Sequence, residues 1–266
     1  MHRHGMESGR HEVKTGSYTL ENILIAVDID KEADAEMKAL SSSLASKGPA
    51  LRRMDAVKQA LLLFIHSKLA MNPLHQFAFV TLGRFPSWHQ REFTSNLDVI
   101  STSVRTLNTD AVGFDQFDLS SLIQVAATEA RTSISQGRTL RLVLIYCRSS
   151  VVPEFSEQWL ERQNSFTLDA LYMHDKPSPT NCPQRVYDAL VDALEHVSQH
   201  EGYIFESSSG SARTLFKHIC FLLCHPHQRV VQDEVTNIKD LAQARLAAEV
   251  TAAIPQADAA VGGRGG

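Results

Sequence analysis

At 266 residues, with 43% hydrophobic and 21% charged side chains, the chain has the composition of a globular protein with a substantial core. Its formal charge is −4 and its densest basic cluster before the C-terminal tail is the pair Arg52-Arg53, which argues against nucleic acid as the main partner. No apolar run approaches the ~20 residues that span a bilayer, and the N-terminus, Met-His-Arg-His-Gly-Met-Glu-Ser-Gly-Arg-His, lacks the apolar core of a secretory signal.

Residues 1–16 read as a polar N-terminal arm. A strand follows over about 21–28. Its apolar run, Ile23 to Val27, stops at three carboxylates spaced by two: Asp28, Asp30 and Glu32. Such a run predicts a strand buried on both faces, and open α/β sheets bind ligands where such strands end. A loop is expected from Lys31 to about Pro49, with a helical turn around Ala35–Leu40. Over 50–70, Met54, Val57, Leu61, Phe64, Ile65 and Leu69 recur at helical spacing, and Pro73 closes the helix.

Gln76–Leu82 has the branched and aromatic residues of a buried strand. Ser87–Phe93 reads as an edge strand and Asn96–Leu107 as a helix. A further helix is expected from Asp118 to Ser135, capped by Asp118 or Ser120, buried through Leu119, Leu122, Ile123, Ala126, Ala130 and Ile134, and ended by Gly137. Leu140–Cys147 is the most hydrophobic strand. A short helix over Phe155–Arg162 precedes the strand Thr167–His174. Asn181 is placed to cap a helix carrying Pro183 in its first turn. Gly202–Glu206 reads as a last strand and Ser211–Cys224 as a last apolar helix, halted by Pro226. From about Asp240 the composition shifts to Ala and Gly.

Strands alternating with helices imply crossover connections and a mainly parallel sheet with helices on both faces. The expected architecture is one three-layer, Rossmann-like α/β domain over residues 17–230, followed by a C-terminal segment and low-complexity tail over 231–266.

Asp28, Asp30 and Glu32 could converge on Mg²⁺ or Ca²⁺, or act as loop residues that bond local backbone amides. Cys220, Cys224, His225 and His227 invite a zinc reading, but the preferred reading is a core helix with small buried thiols followed by a proline-terminated exit. The four cysteines, these two with Cys147 and Cys182, read as reduced thiols of a cytosolic or nuclear protein. No Gly-x-Ser-x-Gly and no phosphate-binding glycine loop is present. His66, His75, His89 and His174 are scattered, and no catalytic residue or cofactor is expected. Phe85 and Trp88, flanking Pro86, are either partner anchors or half-buried core.

A strand running into Asp28, followed by α/β units of this order, resembles a von Willebrand factor A domain. That family's metal-ion-dependent adhesion site has the pattern Asp-x-Ser-x-Ser, a threonine opening a later helix, and an aspartate after the central strand. Asp28 matches the first position, and Asp30 and Glu32 replace the serines. Phe117 falls near the threonine and Arg148 near the aspartate. The resemblance therefore implies a degenerate site, in which Arg148 reaches back to Asp28 or Asp30 so that a guanidinium stands in for the cation.

Tyr146-Cys147-Arg148-Ser149-Ser150, Leu168–His174 and Leu222-Leu223-Cys224-His225-Pro226-His227-Gln228-Arg229 resemble one branch more closely. This is the von Willebrand A-like scaffold subunit of the BRISC and BRCA-A deubiquitinase complexes, the MERIT family, with the likeness covering roughly residues 20–230. It implies a non-catalytic scaffold, in cytoplasm and nucleus, acting in DNA-damage response or cytoplasmic ubiquitin signalling. The implied partners are a zinc-dependent deubiquitinase subunit, an Abraxas-like subunit and a UEV-domain subunit, with no nucleic acid and no membrane. It further implies that Pro226, Gln228 and Arg229 open an extended partner-binding segment, so that cutting the chain after Cys224 spares the fold. The alternative is a metal-dependent ligand receptor in which Asp28, Asp30 and Glu32 hold Mg²⁺ by themselves.

Overall fold

The computed structural model describes residues 20–37, 50–156, 165–207 and 211–236. The expected arm at 1–16, most of the Lys31–Pro49 loop, most of the Phe155–Arg162 helix and the tail from Asp240 lie outside them. Six strands form one sheet: β1 (Leu20–Asp28), β2 (Gln76–Leu82), β3 (Pro86–Thr94), β4 (Arg138–Tyr146), β5 (Phe166–Met173) and β6 (Ile204–Ser207). Their order is β3-β2-β1-β4-β5-β6. All neighbours are parallel except β3, which returns antiparallel beside β2 through an irregular register. The expected mainly parallel, three-layer α/β architecture is the observed one.

Alternation along the strands sorts the core into two layers. Ile23, Ile25 and Val27 face helices α1 (Arg53–Met71), α2 (Leu97–Thr106) and α5 (Ala212–Phe221). Leu24 and Ala26 face α3 (Leu119–Ser135) and α4 (Pro183–Val197). Phe64, Phe77 and Phe79 are fully buried in the first layer. Burying side chains of that size contributes about 1.5–3 kcal/mol each, which explains why this core needs no disulfide, and all four cysteines are free.

Local signals set most helix ends. Asn96 Oδ1 accepts from the amides of Asp98 and Val99 and starts α2, and Asp118 Oδ1 accepts from Ser121 N and starts α3. Gly137, with φ of 68°, turns the chain from α3 into β4. Four expectations need correction. The turn expected to open at Ala35 does not start there: Ala35 is extended and follows a 3-10 turn over Lys31–Asp34 capped by Asp30, while residues 38–40 lie outside the described ones. Ile134 is 57% exposed, since it lies in the last turn of α3, beyond the packed stripe. Asn181 does not cap α4: Cys182 holds that position without a side-chain bond, and Asn181 Oδ1 accepts from Ser178 N at 2.7 Å. Cys220 and Cys224 are exposed rather than buried.

The segment after α5 also departs from expectation. Pro226 is buried and opens a 3-10 turn over Pro226–Gln228 rather than an extended strand. The chain beyond residue 230 stays on the sheet: Gln232 Oε1 accepts from Ile204 N, and Gln232 Nε2 donates to Ile204 O, both at 2.7 Å. That carboxamide occupies the outer edge of β6, and a short helix, α6 (Gln232–Thr236), begins there.

Candidate functional site

β1 delivers Asp28 to the end of the sheet, where it is fully buried. Arg148, just past β4, is equally buried and points back at it. Nε lies 3.1 and 3.2 Å from Asp28 Oδ1 and Oδ2, and Nη2 lies 3.0 Å from Oδ1. Asp28 also accepts from the amides of Asp30 (3.1 Å) and Cys147 (3.0 Å). The rest of the guanidinium donates to the carbonyls of Leu82, Gly83 and Gln116 at 2.6–2.9 Å. Phe114, Phe117 and Tyr146 surround it, their ring centroids 5.1, 5.4 and 5.6 Å from Cζ. Burial opposes the charge on Arg148, but Asp28 outweighs it and raises the arginine pKa above its ordinary value.

The other two carboxylates are also held. Asp30 Oδ1 accepts from Glu32 N at 2.9 Å and Oδ2 from Phe114 N at 2.7 Å. The second contact needs Gly113, whose φ of 79° turns the chain toward Asp30 and whose Cβ, if present, would press on Lys31 and on Asp30 itself. Arg148 Nε lies 3.9 Å from Asp30 Oδ2, so Asp28 is the main partner. Glu32 Oε2 accepts from Ser149 N (3.0 Å) and Ser149 Oγ (2.5 Å), fixing the turn after β4. The loop reading of these carboxylates, as acceptors of backbone amides, describes what they do here.

Sequence reasoning missed Arg53. It is 2% exposed and ties the same turns together, donating to the carbonyls of Glu32 (2.9 Å) and Cys147 (3.2 Å) and to Asp175 Oδ1 (2.9 Å). Its signal was position: it precedes Val57 by one helical turn, on the buried face of α1.

These residues do not fit a divalent ion. The oxygens of Asp28 and Asp30 face N–H donors, the Phe117 ring offers no ligand, and a guanidinium lies against Asp28 where a second cation would be repelled. Among the described residues no cluster of three or more His, Cys, Asp or Glu side chains could hold a metal. Burial pushes the Cys147 thiol far above its ordinary pKa, so it is not an activated nucleophile.

The Pro226–Arg229 segment is brought elsewhere, to the opposite end of the sheet. Arg229 was expected to offer a partner a forked donor; instead its side chain is fully buried. It clasps Asp169, with Nη1 2.5 Å from Oδ1 and Nη2 2.9 Å from Oδ2, and lies 4.4 Å from the Tyr203 ring. Asp169 needs that second cation because it sits inside β5 with no water to solvate it. Gln228 is exposed and Pro226 is not. Removing everything after Cys224 would take from the domain the guanidinium that meets Asp169 and the carboxamide that pairs with Ile204.

Asp169 belongs to a second buried network that sequence reasoning also missed. Glu21, Lys68, Arg141 and Asp169 are each at most 2% exposed. Lys68 bonds Glu21, Arg141 Nη1 lies 3.6 Å from Glu21 Oε1, and Arg141 Nε lies 2.6 Å from Asp169 Oδ2. Burial works against the Asp169 charge, but Arg141 and Arg229 pull its pKa down to about 2. The signal was a charged residue inside each of three strands, Glu21 in β1, Arg141 in β4 and Asp169 in β5.

Strand order and the antiparallel edge strand give the chain a von Willebrand A-type fold, here with the aspartate at the end of β1 held by an internal arginine. No family model matches the sequence, nor does any curated protein. The D319A mutant of the PilB minor pilin from Streptococcus sanguinis is similar in structure, with a TM-score of 0.52 and 10% identity over 80% of this chain. The chain spans 62% of that pilin. The SpRpn10 VWA domain gives a TM-score of 0.49 at 15% identity, covering 80% of this chain and 99% of that one. The TFIIH p34 N-terminal domain gives 0.49 at 14% identity, covering 76% and 97%. At 10% identity the likeness to the pilin is one of fold.

Proposed function

We propose that this chain is a non-catalytic scaffold subunit that binds other proteins through its outer surfaces. The observation that supports this reading is the Arg148–Asp28 pair. An adhesion-type domain captures ligand through a cation at the end of β1, and here a buried guanidinium meets that aspartate. What remains for recognition is the exterior of a rigid three-layer body.

The resemblance to the MERIT family supports a more specific assignment. In it, the chain helps assemble and stabilise a deubiquitinase complex specific for lysine-sixty-three-linked chains, in cytoplasm and nucleus, serving DNA-damage response or ubiquitin signalling. Its partners are a zinc-dependent deubiquitinase subunit, an Abraxas-like subunit and a UEV-domain subunit. Arg229 is committed to Asp169, so His227 and Gln228 are the exposed part of the C-terminal turn through which the UEV-domain subunit is engaged.

Affinity purification of the full chain from its native cells, followed by mass spectrometry, tests this assignment. Recovery of all three subunits, equal in EDTA and in Mg²⁺ and weakened by Gln228→Ala, is expected. Capture of a different ligand only in divalent cation would establish the metal-dependent receptor instead.

A further inference from the structure

The sequence contains a single serine or threonine followed by proline, Ser178-Pro179, and it lies in the connection between β5 and α4. Every residue from Asp175 to Thr180 is exposed, and none of them lies in a strand or helix. Pro177 and Pro179 fix their own φ, and the proline after it biases Ser178 toward extended backbone. Its hydroxyl is thus offered to solvent from a short, non-helical stretch. Among the described residues that hydroxyl engages only Thr180, with Oγ1 3.0 Å and N 3.3 Å away.

The stretch is anchored at its ends and lightly held between them. Asp175 N donates to Ser149 Oγ at 2.8 Å, and Cys182 N donates to Ser149 O at 3.0 Å. Between these anchors Ser178 N donates to Asn181 Oδ1 at 2.7 Å, Asn181 Nδ2 to Lys176 O at 3.0 Å, and Ser150 Oγ to Thr180 O at 3.3 Å. These are surface bonds that water replaces at small net cost. Lifting residues 176–181 into the cleft of an enzyme is therefore a local opening, which leaves the sheet and both core layers in place. The surroundings also suit an added anion. Asp175, the one carboxylate in the stretch, is paired with Arg53 at 2.9 Å. Lys176 stands two residues before Ser178, the first charged residue of α4 is Arg185, and α4 starts without a side-chain cap.

We propose that Ser178 is a phosphorylation site for a proline-directed protein kinase, with ATP as the phosphoryl donor. In the transfer, Ser178 Oγ attacks the γ-phosphorus of ATP, and the new O–P bond forms as the bond to the β,γ-bridging oxygen breaks. ADP leaves with that electron pair, and the hydroxyl proton passes to the kinase's carboxylate base. The product carries about −1.5 to −2 charges on Ser178 and can accept from Thr180 N and Oγ1. This inference is independent of the proposed deubiquitinase complex and concerns the isolated chain.

Incubating the folded full chain with ATP tests it, with a cyclin-dependent and a mitogen-activated protein kinase as the two probes and a synthetic peptide of residues 173–184 as the unfolded reference. Mass spectrometry should find one phosphate per chain, on Ser178, with at least one of the kinases. Ser178→Ala should abolish incorporation. Pro179→Ala keeps the hydroxyl and should slow it at least about tenfold, the factor that 1.4 kcal/mol of lost recognition gives. Circular dichroism of both variants should match that of the wild type, which separates lost recognition from lost structure. Phosphate on the peptide but not on the folded chain would overturn the proposal, because the stretch then does not open to the enzyme. So would phosphate on a different residue, no reaction of either substrate, or an undiminished rate in Pro179→Ala.

Discussion

The two ends of the sheet both bury ionised side chains, but they solve the problem differently. At the end of β1, one aspartate meets one arginine. Arg148 divides its donors among Asp28 and three carbonyls, and Asp28 also takes two backbone amides. At the opposite end, the three cations Lys68, Arg141 and Arg229 meet two carboxylates, Glu21 and Asp169, and Arg229 also donates to the Glu201 carbonyl at 2.8 Å. Among the described residues Arg141 Nη1 and Nη2 have no hydrogen-bond partner, and neither has Glu21 Oε1. The first arrangement holds three loops in one geometry, because a buried network with every member satisfied has few alternatives. The second carries an excess of positive charge and is sensitive to any further proton. A saturated pair therefore acts as a lock, whereas the unbalanced network leaves the C-terminal segment coupled to pH.

Breaking the lock should have the largest effect. Arg148→Ala leaves Asp28 buried without a cation and should cost about 3–5 kcal/mol in denaturant unfolding. Arg148→Lys should recover little, since an ammonium cannot span Asp28 and the carbonyls of Leu82, Gly83 and Gln116 together. Replacing both partners, as Asp28→Asn with Arg148→Met, should cost less than Arg148→Ala alone, because no buried charge is left behind. If the double variant is the worse of the two, the pair is not the lock described here.

The second end should respond to pH. His75 is buried and accepts from Glu21 N through Nδ1 at 3.1 Å, so its neutral form is the one that fits. Burial first, and then Lys68, lower its pKa to about 4, against the pull of Glu21; His225 and Arg138 face it as well. A histidine depressed in the folded state stabilises fully above its unfolded pKa of about 6.5, and that stability is lost as the pH falls toward 4, by roughly 3 kcal/mol. Asp169 adds a second loss between about pH 4 and pH 2. Thermal melts across pH 7 to 4 should show the first decline, and His75→Gln should flatten it. A slope unchanged in that variant would assign the titration elsewhere.

Arg229→Ala should cost less than Arg148→Ala, about 2–3 kcal/mol, because Arg141 stays 2.6 Å from Asp169. Gln232→Ala should cost about 1 kcal/mol and speed exchange of the Ile204 amide, which then loses its acceptor. The smallest expected signal is calorimetric: Mg²⁺, Mn²⁺ and Ca²⁺ should give no specific heat with the wild-type chain. Micromolar binding abolished by Asp28→Ala would restore the cation site.

The two regions also differ in how far the sequence revealed them. A strand ending in Asp28 and another followed by Arg148 could be paired beforehand, because both residues lie at the ends of apolar runs that pattern alone locates. The strand and helix positions were legible for the same reason: alternation and helical spacing record which face each residue buries. The Glu21–Arg141–Asp169 row was not legible. Its members are single charges inside three separate strands, and only the register that sets Val143 beside Asp169 and Ile23 beside Arg141 makes them neighbours.

By itself, the sequence determined a parallel α/β sheet, its principal helices, and a first strand that delivers carboxylates to the sheet's end. Tertiary structure decided what those carboxylates meet. It chose Asp28 over Asp30 for Arg148, turned Arg229 inward, and set Gln232 on the edge of β6. Each is a contact between residues at least 28 positions apart, and local propensity carries no information about such a partner. Burial supplies the reason for the choice: a charge removed from water must find an opposite charge or a donor, wherever in the chain that group lies.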